Sequence, residues 1–326
     1  MYNMLESLYD NSPVTGLSVA LIQDSDVDIF VKGTFLDEPI TEHTIWRVAS
    51  LTKPIFVYGA LQLMQQGLLE LDRPLQSYLT QPYTETKDDI AKITAQHTMS
   101  HSSGLPNWRN AEGLGLIYPI GKHFNYSSEG LNYLQVVLEH ILSQPMSDYL
   151  KDHVFTPLGM NNTALTKETP DTISPSISFI LNTVRANGAL SLTTTIKDYT
   201  RFVQAILNPP HHENPYLRTS SLAQMLSPQL TVGDIPDLYW GLGWGLQGDD
   251  NNHSFWHWGA RGIPTAMNFV MGLPEHKTGI VIFTNHRDGL YLCRDIIKKL
   301  LPDTKLSAFD WLLPAKSWRA DGRKSE

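Results

Sequence analysis

The hydrophobic positions along this chain change period several times, and each change marks an expected element. Residues 2–9 suit a short helix. After Pro13 and Gly16, two apolar-rich stretches, 17–23 and 27–32, flank the polar Asp24, Ser25 and Asp26, which predicts an antiparallel hairpin. From residue 51 the period lengthens: Leu51, Ile55, Val57, Ala60, Leu61, Met64 and Leu68 recur every three or four positions, with Gly67 as a stop signal. That pattern predicts a largely buried helix. Between residues 71 and about 230 further amphipathic segments, notably 130–142 and 196–207, alternate with Pro, Gly and Asn loops, and strand signals are sparse. They return at 240–246, 268–272 and 279–284, and a helical pattern over 290–301 follows.

Strands at both ends with helices between predict an α+β fold. In it, an antiparallel sheet from both chain ends is flanked by helices, with a mostly helical region inserted. The expected division is residues 1–60 with 239–302 as the sheet part, 61–238 as the helical part and 303–326 as a C-terminal tail, all one catalytic unit.

Composition narrows the function classes. Of 326 residues, 41% are hydrophobic and 18% charged, the profile of a packed globular protein. The net charge of −8 comes without a dense Lys/Arg run, which argues against nucleic acid as a partner. The mildly basic stretch 316–324 reads as a solvated end. A lone cysteine, Cys293, excludes an internal disulfide. No segment approaches the ~18 consecutive apolar residues of a membrane span. Residues 1–10 carry two acids, no cation and no apolar run, unlike a signal peptide, so the expected location is the cytoplasm, export not being excluded.

The candidate chemistry starts at Ser50-Leu51-Thr52-Lys53, a Ser-x-x-Lys at the onset of the buried helix. Three residues on a helix bring both side chains to one face. With 24 Ser and 14 Lys, roughly one such spacing arises by chance, and a capping serine beside a surface lysine also fits it. In the first helical turn, however, Ser50 would have a free backbone N–H for an oxyanion, and Pro54 would help fix that turn. For Lys53 to act as a base, its proton affinity must fall by about three pH units. A second element is Phe124-Asn125-Tyr126-Ser127-Ser128, a Tyr-x-Ser before the Gly130 helix; a third is His257-Trp258-Gly259 near a strand.

In this order the three motifs resemble the serine β-lactamase and penicillin-binding-protein superfamily, most of all class C β-lactamases and related carboxylesterases. The stretches 93–105 (ITAQHTMSHSSGL), 156–160 (TPLGM), 187–202 (NGALSLTTTIKDYTRF) and 240–246 (WGLGWGL) look like that family's connecting signatures. The resemblance implies an acyl-enzyme: Ser50 attacks a carbonyl, Lys53 and Tyr126 share base and acid work, and Ser128 orients the substrate. The backbone N–H groups of Ser50 and Ala260 would hold the oxyanion. Two departures, His257 where β-lactam-binding members usually carry Lys and Ser128 where class C enzymes usually carry Asn, favour an esterase-like or peptidase-like reading over an antibiotic hydrolase.

Trp258 and Trp108 are candidates to line the cleft, with His257 and Gly259 beside them, and Arg261 is a candidate anchor for an anionic group, a solvated arginine being the alternative. Trp240, Trp244 and Trp256 read as core. Lys277-Thr278-Gly279 mimics the family triplet but sits after a turn and is set aside. His97 and His101, four apart, lack the intervening Glu of a zinc helix and read as structural, and His211-His212 as exposed. The expectation is therefore a serine hydrolase needing neither metal nor organic cofactor, acting on a small ester or amide and not at a membrane. A β-lactamase, a D-amino-acid-directed peptidase, an acyltransferase and a catalytically silent binding protein are the alternatives.

Overall fold

Two stretches far apart in sequence build one sheet. The computed structural model describes residues 1–85, 89–109, 113–167, 186–209, 216–248, 253–262 and 265–313. The N-terminal part supplies β1 (Gly16–Gln23), β2 (Asp26–Phe35) and β3 (Glu38–Pro39). Three short strands, β4 (Trp46–Arg47), β5 (Ala164–Leu165) and β6 (Leu192–Thr194), form a separate small sheet in the order β4-β6-β5. The C-terminal part adds β7 (Leu230–Thr231), β8 (Leu238–Trp240), β9 (Gly245–Gln247), β10 (Ser254–Gly262), β11 (Thr265–Leu273) and β12 (Thr278–Thr284). The main sheet runs β3-β2-β1-β12-β11-β10-β9-β8-β7, antiparallel throughout. Its seam is β1 against β12, with Leu17 opposite Thr284 and Gln23 opposite Thr278.

Both faces of β1 are covered, which is why 17–22 reads as an almost unbroken apolar run. On one face Leu17, Val19, Phe269, Ile280 and Ile282 meet α1 (Tyr2–Asp10) and the C-terminal helices, through Leu5, Cys293, Ile296, Ile297 and Phe309. On the other face Ala20, Ile22, Phe255, Val270, Val281 and Phe283 meet the helical region. That region contains α2 (Thr52–Gln65), α3 (Ala95–Met99), α4 (Ser128–Leu142), α5 (Met146–Leu150), α6 (Ile196–Leu207) and α7 (Thr219–Met225). Helix α2 is buried all round from Thr52 to Leu63, as a helix threaded through a core must be. No helix among the described residues is long and apolar enough to cross a membrane.

The α+β architecture follows the hydrophobic pattern, with four local differences. Helix α4 begins at Ser128, two residues before the expected start, because Ser127 caps it by accepting from Gly130 N–H at 3.0 Å. The single strand expected over 240–246 is a hairpin, β8 and β9, since Gly243 takes a left-handed φ of +79°. Past α8 (Gly289–Leu300), the stretch expected as a tail contains α9 (Ser307–Leu312), which seats Ala308 and Phe309 in the core. The small sheet had no signal in the pattern, its strands being too short for a period to show. His211-His212 and the basic stretch 316–324 lie outside the described residues.

Candidate active site

Ser50 sits in a 3-10 turn, Ala49–Leu51, immediately before α2 and not in the helix's own first turn. Ala49 takes a left-handed φ of +48°, a conformation that costs of order 1–3 kcal/mol and persists only where the surroundings enforce it. They do. Thr52 Oγ1 donates to Ala49 O at 2.6 Å and accepts from Leu192 N–H at 2.9 Å, Val48 N–H donates to Leu192 O at 3.1 Å, and Tyr199 Oη donates to Leu51 O at 2.9 Å. Strand β6 and helix α6 thus hold the serine turn.

Lys53 follows in the first turn of α2 and has no solvent exposure. Its Nζ reaches Ser50 Oγ at 3.1 Å and Ala189 O at 2.8 Å. Burial, with no carboxylate partner among the described residues, penalises the ammonium and brings the pKa down from 10.5 to about 7. A depression of that size corresponds to about 5 kcal/mol of differential interaction between the charged and neutral forms. The Ala189 carbonyl is itself built in: Ala189 N–H donates to Asn187 Oδ1 at 2.8 Å, Gly188 N–H to Gln135 Oε1 at 2.8 Å, and Asn187 Nδ2 to Asn132 Oδ1 at 2.6 Å. Sequence reasoning missed Ala189, although it lies in the stretch 187–202 that carried part of the resemblance.

The Tyr126 ring lies 4.9 Å from Lys53 Nζ, and its hydroxyl is buried beside Ser50 without making a regular hydrogen bond among the described residues. Burial pushes the phenol well above its ordinary range; the neighbouring Ser50 side chain pulls the other way, but more weakly. The hydroxyl therefore keeps its proton at neutral pH. Around its ring stand His101 at 4.4 Å, Trp258 at 4.8 Å and Trp240 at 5.9 Å between centroids.

The third motif lies in β10. Beyond Trp256 this strand has no pairing with β9, and the serine turn packs there. Gly259 is needed at that contact, because a Cβ would collide with the Val48 carbonyl. Ala260, the next residue, is exposed on the strand opposite Met267. His257 is fully buried. Its Nδ1–H donates to Trp258 O at 2.7 Å, since a carbonyl only accepts, and burial together with nearby Lys53 pushes its pKa down to about 3. An imidazole at that value is neutral at pH 7 and carries no charge toward a substrate carboxylate.

Of the remaining candidates, Ser128 is buried at the first position of α4, its N–H donating to Asn107 Oδ1 at 3.0 Å. Trp258 is half-buried near Tyr126 and stands edge-on to Trp311 of α9 at 5.2 Å, a wall that the expected tail had hidden. Trp108 is half-buried against the helical core. Arg261 is 9% exposed, on the His257 face of β10, and not the solvated arginine weighed as an alternative. Lys277 lies in the β11–β12 turn, 3.5 Å from Asp24, remote from Ser50 along the sheet. Trp240, Trp244 and Trp256 are core. His97 caps α3 through its Nδ1, and no group of metal-ligating side chains occurs among the described residues.

The model of the family described as beta-lactamase matches residues 3–298. Penicillin-binding protein 4* of Bacillus subtilis is 23% identical over 313 residues, covering 80% of this chain and 65% of that protein. Esterase EstB of Burkholderia gladioli is 28% identical over 164 residues, 41% of each chain. The chain thus spans less than two thirds of the length of these curated relatives. Among solved structures, D-amino acid amidase from Ochrobactrum anthropi superposes with a TM-score of 0.72 at 19% identity, covering 92% of this chain and all of that one, a likeness of fold.

Proposed function

Because the chain belongs to the beta-lactamase family, we propose that it is a serine hydrolase that cleaves an ester or amide through an acyl-Ser50 intermediate. The observation that carries this reading is Lys53 Nζ, shielded from water and 3.1 Å from Ser50 Oγ; burial brings its pKa down to about 7, which makes a neutral amine available near pH 7. Neutral Lys53 takes the Ser50 proton while Oγ bonds to the carbonyl carbon. The oxyanion that forms is held by the backbone N–H groups of Ser50 and Ala260, the donors adjoining the turn and β10. When the tetrahedral adduct collapses, the leaving oxygen or nitrogen departs with a proton delivered through Tyr126 from Lys53. Water then attacks the acyl ester by the reverse proton path, releasing the acid and restoring Ser50.

Esters without a carboxylate are the favoured substrates. His257, at the position where a lysine would meet a carboxylate, is buried and uncharged, and the half-buried Trp258 and Trp311 offer apolar surface instead. A fluorophosphonate probe is expected to label the protein at Ser50 and to leave Ser50→Ala unlabelled; equal labelling of both overturns the assignment. In a panel of p-nitrophenyl esters, nitrocefin and D-alanyl amides, the esters should turn over fastest. Faster nitrocefin hydrolysis would shift the reading to a β-lactamase.

A further inference from the structure

We propose that His101 is a positioning residue that holds the Tyr126 phenol at Ser50 by accepting a hydrogen bond from the backbone N–H of the residue on each side of that tyrosine. The inference rests on the reading of Ser50 as the acylated residue and Tyr126 as its proton carrier.

His101 follows α3 and is fully buried in a left-handed conformation, φ +55°, uncommon for a residue with a side chain. That conformation lets backbone and ring act on the same tripeptide. His101 O accepts from Asn125 N–H at 2.7 Å, and His101 Nδ1 accepts from Ser127 N–H at 3.1 Å. Between these two bonds the imidazole lies 4.4 Å from the Tyr126 ring, tilted by 40°. The flanking turn is tied down as well, by Asn125 Nδ2 to Leu105 O at 2.7 Å and Ser127 Oγ to Pro106 O at 2.8 Å.

Two features make this more than packing. Among the described residues the Tyr126 hydroxyl makes no regular hydrogen bond and interacts only with Ser50, so its backbone and the rings around it bear most of the work of placing it. An Nδ1 that accepts must also lack a proton, which puts the single hydrogen of a neutral ring on Nε2. Burial, with Lys53 and His257 nearby, keeps this imidazole neutral, pushing its pKa well below 6.5. A phenylalanine of similar shape would fill the space but orphan the Ser127 N–H. An asparagine carries an acceptor at the reach of Nδ1 and tolerates the left-handed backbone, whereas a glutamine places its amide farther out.

The test uses full-length protein and p-nitrophenyl acetate. His101→Phe is expected to lower kcat about 100-fold with KM within about threefold, the scale of a misplacement near 1 Å. His101→Asn should recover to within about tenfold of the parent, with His101→Gln well below it. In a Tyr126→Phe background, His101→Phe should cost less than about threefold more. Any of three kinetic results would overturn the proposal: an unchanged kcat in His101→Phe, equal rates for the Asn and Gln variants, or the full loss persisting without the phenol hydroxyl. Should His101→Phe fail to fold, the Asn and Gln comparison decides. Histidine 15N spectra of the parent should show His101 protonated at Nε2 only, and a proton on Nδ1 removes the clamp. Failure of the functional reading shows differently, as a parent protein that the fluorophosphonate probe never labels at Ser50.

Discussion

Lys53 and His257 are both nitrogen bases without solvent exposure, packed about the same serine, and burial acts on them in the same direction with opposite consequences. The lysine starts at 10.5 and ends at about 7, where it gains and loses a proton at physiological pH. The histidine starts at 6.5 and ends at about 3, where it stays neutral throughout. Their hydrogen bonds diverge as well. Lys53 Nζ is aimed at Ser50 and Ala189, whereas His257 bonds within its own strand through Nδ1 and leaves Nε2 without a partner among the described residues. For a group that is charged when protonated, desolvation thus leaves a site that titrates near neutrality only where the group begins far above it.

The sharpest way to break this comparison is at the lysine. Lys53→Ala is expected to slow acylation of Ser50 by about 10³- to 10⁴-fold in stopped-flow assays while the circular dichroism spectrum stays unchanged. In the parent the same rate should rise about tenfold per pH unit up to about pH 7 and level off above it, as the neutral amine accumulates. A rate that is flat from pH 5 to 9 would remove Lys53 from the base role.

The same shift has a stability signature. Unfolding returns Lys53 to its ordinary pKa of 10.5, so between about pH 7 and 10.5 the unfolded chain binds more protons than the folded one. For this group stability therefore climbs with pH across that window, and the penalty is complete below it. Lys53→Met should exceed the parent by a few kcal/mol in thermal melts at pH 6, the advantage fading towards pH 10.5.

Two smaller effects test the strand side. Gly259→Ala drives a Cβ into the Val48 carbonyl and should displace the serine turn, lowering kcat by about 100-fold through geometry alone. His257→Gln should change kcat/KM for neutral esters and for carboxylate-bearing esters by the same factor, within about threefold. A loss confined to the carboxylate substrates would restore the imidazole as an anchor.

Much of this was legible in the chain. The change of period at residue 51 located α2, and a spacing of three set Lys53 over Ser50 even though the serine proved to lie in a 3-10 turn, because α-helical and 3-10 turns both bring residues three apart together. The decoy Lys277-Thr278-Gly279 could be dismissed from the turn before it, and Lys277 is indeed exposed in that turn. The tail was misjudged since α9 has only six residues, too few for a helical period to stand out.

The amino-acid order by itself determined the α+β layering, the buried helix and the identity of the groups that could do acyl chemistry, since these depend on local spacing and on the periodicity of apolar residues. Only the tertiary structure decided what those groups became. Ala189 and Asn187 come from more than 130 positions away to hold Lys53, His101 brackets Tyr126 across 25 residues, and the main sheet carries His257 in beside both. Proton affinity and hydrogen-bond partnership are properties of an environment, and a buried environment is assembled from segments that lie far apart along the chain.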